Sequence, residues 1–208
     1  MEKDEIRKGL AYILIAQALN FLALAAGIVG EVLLTRGSGL AGAFSVISSS
    51  APVTFESVLL SAAALLSLAA LVLYLTGLVK ASRGDYGFHP AIWFVLLGAS
   101  AGLLGSYLQN SGNMFASIAG LISVLFDLLA VRCVICTADE AIGFGARKFL
   151  IPILILYALM LLLTLASAVL ELTGYIQSYS YWIGLITSFL ALISTAYYAS
   201  ALITARKK

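Results

Sequence analysis

Long apolar segments alternate with short polar segments along the chain. Six apolar runs are each long enough to cross the roughly 30 Å hydrocarbon core of a bilayer as a helix of about 20 residues. These runs cover residues 10–35, 55–80, 90–109, 114–137, 149–174 and 182–205. The pattern predicts an all-α integral membrane protein whose single membrane domain, residues 1–208, contains six transmembrane helices.

The composition supports this interpretation. Of the 208 residues, 62% are hydrophobic and 11% are charged, and the mean hydropathy is +1.06. A water-soluble domain of this size could not bury so much apolar surface. We therefore expect the lipid bilayer to surround the chain, and we assign it no nucleic-acid partner.

The lysines and arginines lie mainly on one side of the predicted helices. The connections after the first, third and fifth runs hold one cation, Arg36. The termini and the other two connections hold Lys3, Arg7, Lys8, Lys80, Arg83, Arg147, Lys148, Arg206, Lys207 and Lys208. By the positive-inside rule, both termini are predicted to be cytoplasmic, in a multi-pass protein of the cell membrane with three helical hairpins.

Short similar sequences recur at corresponding helix ends. The odd helices carry AGIVGE at 26–31, AGLLGS at 101–106 and ASAVLE at 166–171, and the even helices carry TGLVKA at 76–81, CVICTA at 133–138 and SALITA at 200–205. A threefold repeat of a helical hairpin would explain both sets. Low complexity in apolar sequence would explain them equally well.

Polar residues form stripes along single faces of four predicted helices, at about 100° of rotation per residue. The stripe residues are Gln17, Asn20 and Glu31 in the first helix, Glu56, Ser67 and Tyr74 in the second, Tyr157, Thr164 and Glu171 in the fifth, and Thr187, Ser194 and Tyr198 in the sixth. We expect these faces to meet inside the bundle and not to face lipid. For the uncharged members, ordinary packing between helices is an alternative explanation.

Asp127 differs from the other polar residues because it lies near the centre of the membrane, roughly 15 Å from the inner end of the fourth run. A charged carboxyl there costs about 3 kcal/mol or more, so Asp127 is expected to be protonated, paired or hydrated. Arg132 is rotated by about 140° from Asp127 and does not share its face. Gly120 and Ser123 do share that face, on which another helix can pack closely.

These residues suggest a path for a cation or proton. The predicted path contains Asp127 together with Gln17, Asn20, Ser67, Thr164 and Ser194, and Glu31, Glu56 and Glu171 form an acidic outer mouth. The primary hypothesis is a non-enzymatic transport or permeation component for a small solute, with transport linked to a cation or proton. A second hypothesis is an accessory subunit that packs within a larger membrane complex or a homo-oligomer.

The segment CVIC contains both cysteines, Cys133 and Cys136, and follows Arg132, which would favour a thiolate. It resembles the C-x-x-C element of disulfide-bond-forming membrane enzymes, including the vitamin K epoxide reductase family. That resemblance implies a cytoplasm-facing thiol oxidoreductase with a quinone cofactor. Those enzymes use a second cysteine pair, which this chain lacks.

The remaining candidate chemistry is sparse. Outside the redox alternative, the sequence indicates no cofactor. A zinc site at the two cysteines would need two more ligands, and His89 is the single histidine of the chain. In overall texture, DEIRKGLAYILIAQALNFLALAAGIVG at 4–30 and LYLTGLVKASRGDYGFHPAIWFVLLG at 73–98 resemble the uncharacterised polytopic membrane proteins common in archaea. That resemblance implies no activity.

Overall fold

The computed structural model describes residues 2–44, 55–110, 115–142, 145–173 and 176–206. These residues form six long helices, α1 (Glu2–Phe44), α2 (Phe55–Gly84), α3 (His89–Asn110), α4 (Ala116–Ile142), α5 (Leu150–Thr173) and α6 (Ile176–Arg206). Short 3-10 helices, Tyr86–Phe88 and Ala146–Phe149, precede α3 and α5. The described part of the chain contains no strand, which confirms the predicted all-α class.

All six helices are long and apolar enough to cross a membrane, as the sequence predicts. Large apolar side chains point outward along them, and Leu65 and Leu103 expose 69% and 73% of their surfaces. An outer surface so rich in exposed apolar groups suits contact with lipid and not with water. The structure therefore supports a multi-pass membrane protein.

Several helices extend beyond the predicted apolar runs. Helix α1 continues to Phe44, past the predicted end at residue 35, and α4 continues to Ile142, past residue 137. The glycines between 36 and 44 each cost a helix about 1 kcal/mol relative to alanine, but they do not exclude it. Hydropathy marks the part of a helix that suits lipid, whereas the backbone hydrogen bonds continue into the flanking polar segment.

The helices form a ring in the order of the chain. The most extensive contacts join α1 with α2, α3 with α4, and α5 with α6. Contacts of α2 with α3, of α4 with α5, and of α1 with α6 close the ring. This order directs one face of every helix toward a common centre.

One end of the ring has a dense core, which we call the packed end. It brings together the beginnings of α1, α3 and α5 and the ends of α2, α4 and α6. Its most deeply buried large side chains are Leu10, Ile13, Leu78, Phe88, Val134, Ile135 and Ile153. The beginning of α1 and the end of α6 both join this core, through Ile6 and Ala205.

Two glycines allow α1 and α2 to approach closely near the packed end. A β-carbon on Gly9 would lie 2.6 Å from the carbonyl oxygen of Gly77, and a β-carbon on Gly77 would lie 2.8 Å from the carbonyl oxygen of Gly9. Any larger residue would therefore separate the two backbones. Small residues at such crossings are a common means of packing membrane helices.

Candidate functional site

A polar cavity of about 240 Å³ lies at the centre of the ring, and all six helices contribute to its wall. We call it the central cavity. Its polar lining residues are Gln17, Asn20, Ser67, Tyr74, Asp127, Tyr157, Ser194, Thr195 and Tyr198. Hydrogen-bonding groups are costly to place in a membrane protein's interior unless they are satisfied or hydrated, so this concentration marks the cavity as the candidate site.

Asp127 is placed in the cavity wall by the contact between α3 and α4. The Ser123 hydroxyl donates a 2.9 Å hydrogen bond to the carbonyl oxygen of Gly98 and joins the two helices. A β-carbon on Gly98 would lie only 2.9 Å from Asp127 Oδ1. The absence of a side chain at Gly98 therefore makes room for the carboxyl group.

The Asp127 carboxyl is accessible despite its depth. It lies eleven residues into α4 (Ala116–Ile142), or roughly 16 Å along the helix axis from its first residue. Its side chain is nevertheless exposed, because it borders the central cavity. Within the described residues, no hydrogen bond or ion pair engages the carboxyl group. It is therefore available to a ligand or to water.

Three tyrosines form much of the remaining wall. The hydroxyl groups of Tyr74 and Tyr198 are 2.8 Å apart and share a hydrogen bond. Both residues belong to the core of the packed end as well as to the cavity wall. Tyr157 of α5 and Ser194 of α6 also line this part of the cavity. The cavity therefore rests on the packed end, with a layer of hydroxyl groups at the boundary.

The described lining of the central cavity carries an acidic side chain and no basic one. Among the described residues that line it, Asp127 is the only charged one, and no lysine, arginine or histidine is present. The other polar groups are hydroxyls and amides, which can offer oxygen atoms as acceptors. This arrangement is complementary to a cationic ligand and unfavourable to an anionic one.

The structure brings together most of the residues that the sequence assigns to a transport path. Gln17, Asn20, Ser67, Asp127 and Ser194 all line the central cavity. Tyr74, Tyr157 and Tyr198 also line it. The sequence places those three on the polar faces but does not assign them to the path. Their position on the same helical faces was the signal that could have identified them.

Thr164 lies elsewhere, in a second cavity of about 340 Å³ between α3, α4, α5 and α6. Its hydroxyl donates a 2.8 Å hydrogen bond to the carbonyl oxygen of Met160, one turn earlier in the same helix. Gly120 also lines this second cavity. The side chains of Glu31, Glu56 and Glu171 lie outside the described part of the structure, so the predicted acidic mouth stays a prediction.

The two cysteines lie apart from the central cavity. The Cys133 thiol donates to the carbonyl oxygen of Gly87 at 3.4 Å, and Cys133 and Cys136 are both free thiols. Neither cysteine lines the central cavity or the second cavity, and Arg132 is exposed. Across the described residues, no group of three or more histidine, cysteine, aspartate or glutamate side chains is arranged to hold a metal ion.

Comparison with known proteins adds no assignment, because no protein-family model, curated protein or solved structure matches this chain. The functional conclusion therefore rests on the central cavity itself.

Proposed function

We propose that the protein is a small transport or permeation component of the cell membrane that binds a cation, a proton or a cationic small solute at Asp127. The observation that carries this proposal is the Asp127 carboxyl, which lies deep in the bundle, has no described partner and borders a polar cavity. Intramembrane carboxyl groups in such positions commonly serve as ion or proton binding groups. No enzymatic activity is proposed.

The chemistry of the wall favours a positively charged ligand. A cation beside Asp127 would offset the cost of holding a charged carboxyl within the membrane. Oxygen atoms from Asn20, Ser67 and Ser194 would replace part of the hydration shell of that ligand. An anion could accept hydrogen bonds from the hydroxyl and amide groups, but a charged Asp127 would repel it.

The size of the cavity limits the ligand. Its volume of about 240 Å³ is below the roughly 300–1,000 Å³ typical of pockets for drug-sized molecules. A small ammonium compound or a hydrated metal ion suits this space better than a large organic solute. We therefore propose a small ligand, bound with few accompanying water molecules.

Transport would require the packed end to open. In the described structure, the core around Leu10, Leu78 and Phe88 lies between the central cavity and the ends of the helices that hold both termini. The Tyr74 and Tyr198 pair lies at this boundary. We propose that release on that side requires these two residues to separate, as in alternating-access transport.

The finer topology is part of the same proposal. The extensive contacts within the pairs α1–α2, α3–α4 and α5–α6 support three hairpins. The lysines and arginines near the packed end support a cytoplasmic location for both termini. The threefold repeat, the accessory-subunit role and the thiol oxidoreductase role stay as predictions from the sequence.

Uptake into proteoliposomes tests the proposal. We expect purified protein in sealed liposomes to take up radiolabelled ethylammonium, and we expect Asp127→Asn to abolish this uptake while the protein stays folded. Asparagine keeps hydrogen bonding and removes the charge, so thermal stability should be unchanged or higher.

Glu140→Gln is the matched control. Glu140 is exposed and pairs with Arg147 outside the central cavity, at 2.7 Å, so its loss should leave uptake intact. Because the proposed ligand includes protons, acidification should be followed in parallel with an internal pH-sensitive dye. A folded Asp127→Asn variant that transports like the unmodified protein in both assays would contradict the proposal.

A further inference from the structure

The central cavity adjoins a groove on the lipid-facing surface. This groove lies between α1 and α6, has a volume of about 380 Å³, and is bordered mainly by apolar side chains. Its apolar members are Ala18, Phe21, Leu22, Ala196 and Ala199. We call it the lateral groove. Its position on the outside of two adjacent helices makes it accessible to lipid.

Two residues connect the lateral groove with the central cavity. Gln17 of α1 and Thr195 of α6 line both spaces. The Thr195 hydroxyl donates a 2.8 Å hydrogen bond to the carbonyl oxygen of Ala191 within α6, so it does not tie α6 to α1. Within the described residues, no hydrogen bond holds the Gln17 amide. Neither of these two side chains therefore closes the wall between the two spaces with a hydrogen bond from α1 to α6.

The two spaces have complementary chemistry. The central cavity offers one carboxyl group, hydroxyl groups and amides, whereas the lateral groove offers the hydrocarbon surfaces of Phe21, Leu22 and several alanines. A molecule that filled both would carry a positive head group and an apolar tail. A fully polar cation would leave the lateral groove empty, and a neutral hydrocarbon would leave Asp127 without a partner.

We propose that the central cavity and the lateral groove form one binding site for an amphipathic ammonium compound that enters from the bilayer between α1 and α6. Its ammonium group lies beside Asp127, and its hydrocarbon chain passes Gln17 and Thr195 into the lateral groove. This inference rests on the proposed function and specifies its substrate class and route of entry. Tyr74, Tyr157 and Tyr198 also line the central cavity, and tyrosine is a residue type that binds ammonium groups.

Photolabelling tests the route. The probe is dodecylammonium with a photoreactive diazirine at the end of its chain, applied to the protein in nanodiscs of phosphatidylglycerol, a lipid without an ammonium group. After irradiation, we expect mass spectrometry to find the label in the α1 segment 17–22 and the α6 segment 195–199. Excess ethylammonium should reduce the labelling, because it competes for the site beside Asp127.

Three substitutions separate the head-group site from the groove. Asp127→Asn should reduce labelling of both segments by about tenfold or more, because it removes the carboxylate that pairs with the ammonium group. Ala18→Phe and Ala196→Phe place an aromatic ring at exposed positions of the lateral groove. They should reduce labelling while leaving ethylammonium binding, measured by the rise in thermal unfolding temperature, unchanged.

Ala69→Phe is the matched control, because Ala69 is exposed on α2 and borders neither the central cavity nor the lateral groove. It should change neither measurement. Label spread evenly over all six helices would overturn the lateral site, and so would labelling that Ala18→Phe and Ala196→Phe leave unchanged. In either case, ethylammonium binding that depends on Asp127 would still support the proposed function. Ethylammonium binding and labelling that both survive Asp127→Asn would overturn both proposals.

Discussion

The hydroxyl oxygens of Tyr74 and Tyr198 lie 2.8 Å apart, although the two residues are separated by 124 positions in the chain. Their rings are tilted by 56° with centroids 6.4 Å apart, so the contact is made through the hydroxyl groups and not by parallel stacking. Both side chains are buried between the central cavity and the packed end. Each hydroxyl group is thus a hydrogen-bond partner of the other at this boundary.

We expect Tyr74→Phe and Tyr198→Phe each to lower the free energy of unfolding by about 1 kcal/mol, because each leaves one buried hydroxyl group without this partner. The double variant should cost less than the sum of the single variants, because it removes both groups together. Equilibrium unfolding in mixed micelles measures all three values. Tyr107→Phe is the control, since Tyr107 is 72% exposed. Additive costs at positions 74 and 198 would contradict a shared hydrogen bond.

The close crossing of α1 and α2 predicts a strong effect at Gly77. In Gly77→Ala, the new β-carbon would lie 2.7 Å from Ile13 Cγ1 and 2.8 Å from the Gly9 carbonyl oxygen, so the two helices must separate. We expect a loss of about 1–3 kcal/mol of stability, as for other overpacked sites. Thermal unfolding in detergent measures this loss.

Gly27→Ala is the control for that substitution. Nothing lies within 4 Å of a β-carbon at this position of α1, so the change should be neutral or slightly stabilising because alanine favours the helix. Equal stability of the Gly77→Ala and Gly27→Ala variants would show that the crossing of α1 and α2 does not limit side-chain size at Gly77.

Gly98 is expected to control ligand binding through Asp127. A β-carbon at Gly98 would lie 2.9 Å from Asp127 Oδ1, so Gly98→Ala should displace the carboxyl group and weaken ethylammonium binding severalfold. Gly105→Ala is a matched control on the same helix, because its β-carbon would meet the carbonyl oxygen of Ala116 at 3.3 Å and neither Ser123 nor Asp127. Calorimetric titration measures both affinities. Identical affinities in the two variants would contradict a role for Gly98 in positioning Asp127.

The predicted topology can be tested with introduced cysteines in a Cys133→Ser, Cys136→Ser background. Cysteines at Ser49 and Ser178 should react with a membrane-impermeant reagent applied to intact cells, whereas a cysteine at Ser82 should not. Ser49 lies outside the described residues, and Ser82 lies near the end of α2 at the packed end. The charge distribution predicts these outcomes. Labelling at Ser82 in sealed cells would reject cytoplasmic termini with six crossings.

Some of the polar residues that the sequence assigns to inward-facing stripes line the central cavity, and others do not. Gln17, Asn20 and Ser67 lie on helical stripes that do meet at the central cavity. Thr164 lies on the same stripe as Tyr157 but about two turns further along α5, where that face borders the second cavity. Helical periodicity gives the face of a residue, but it does not give the depth or the neighbouring helix that the face meets.

Asp127 shows the same distinction for a single residue. Its spacing from Gly120 and Ser123 predicts a surface for close packing, and the structure places Ser123 and Asp127 beside Gly98 of α3. The sequence could not reveal that the carboxyl group also borders a cavity lined by all six helices. That property depends on the order of the helices in the ring and on the gap that their packing leaves.

The sequence by itself determined that the protein is helical and has six segments able to cross a membrane. It could do so because a long apolar run and its backbone hydrogen bonds are local properties of each segment. Only the tertiary structure decided that Tyr74 meets Tyr198, that Asp127 faces the central cavity, and that Gln17 and Thr195 border the lateral groove. These relationships join residues far apart in the chain, and they depend on how six similar apolar helices rotate and pack against one another.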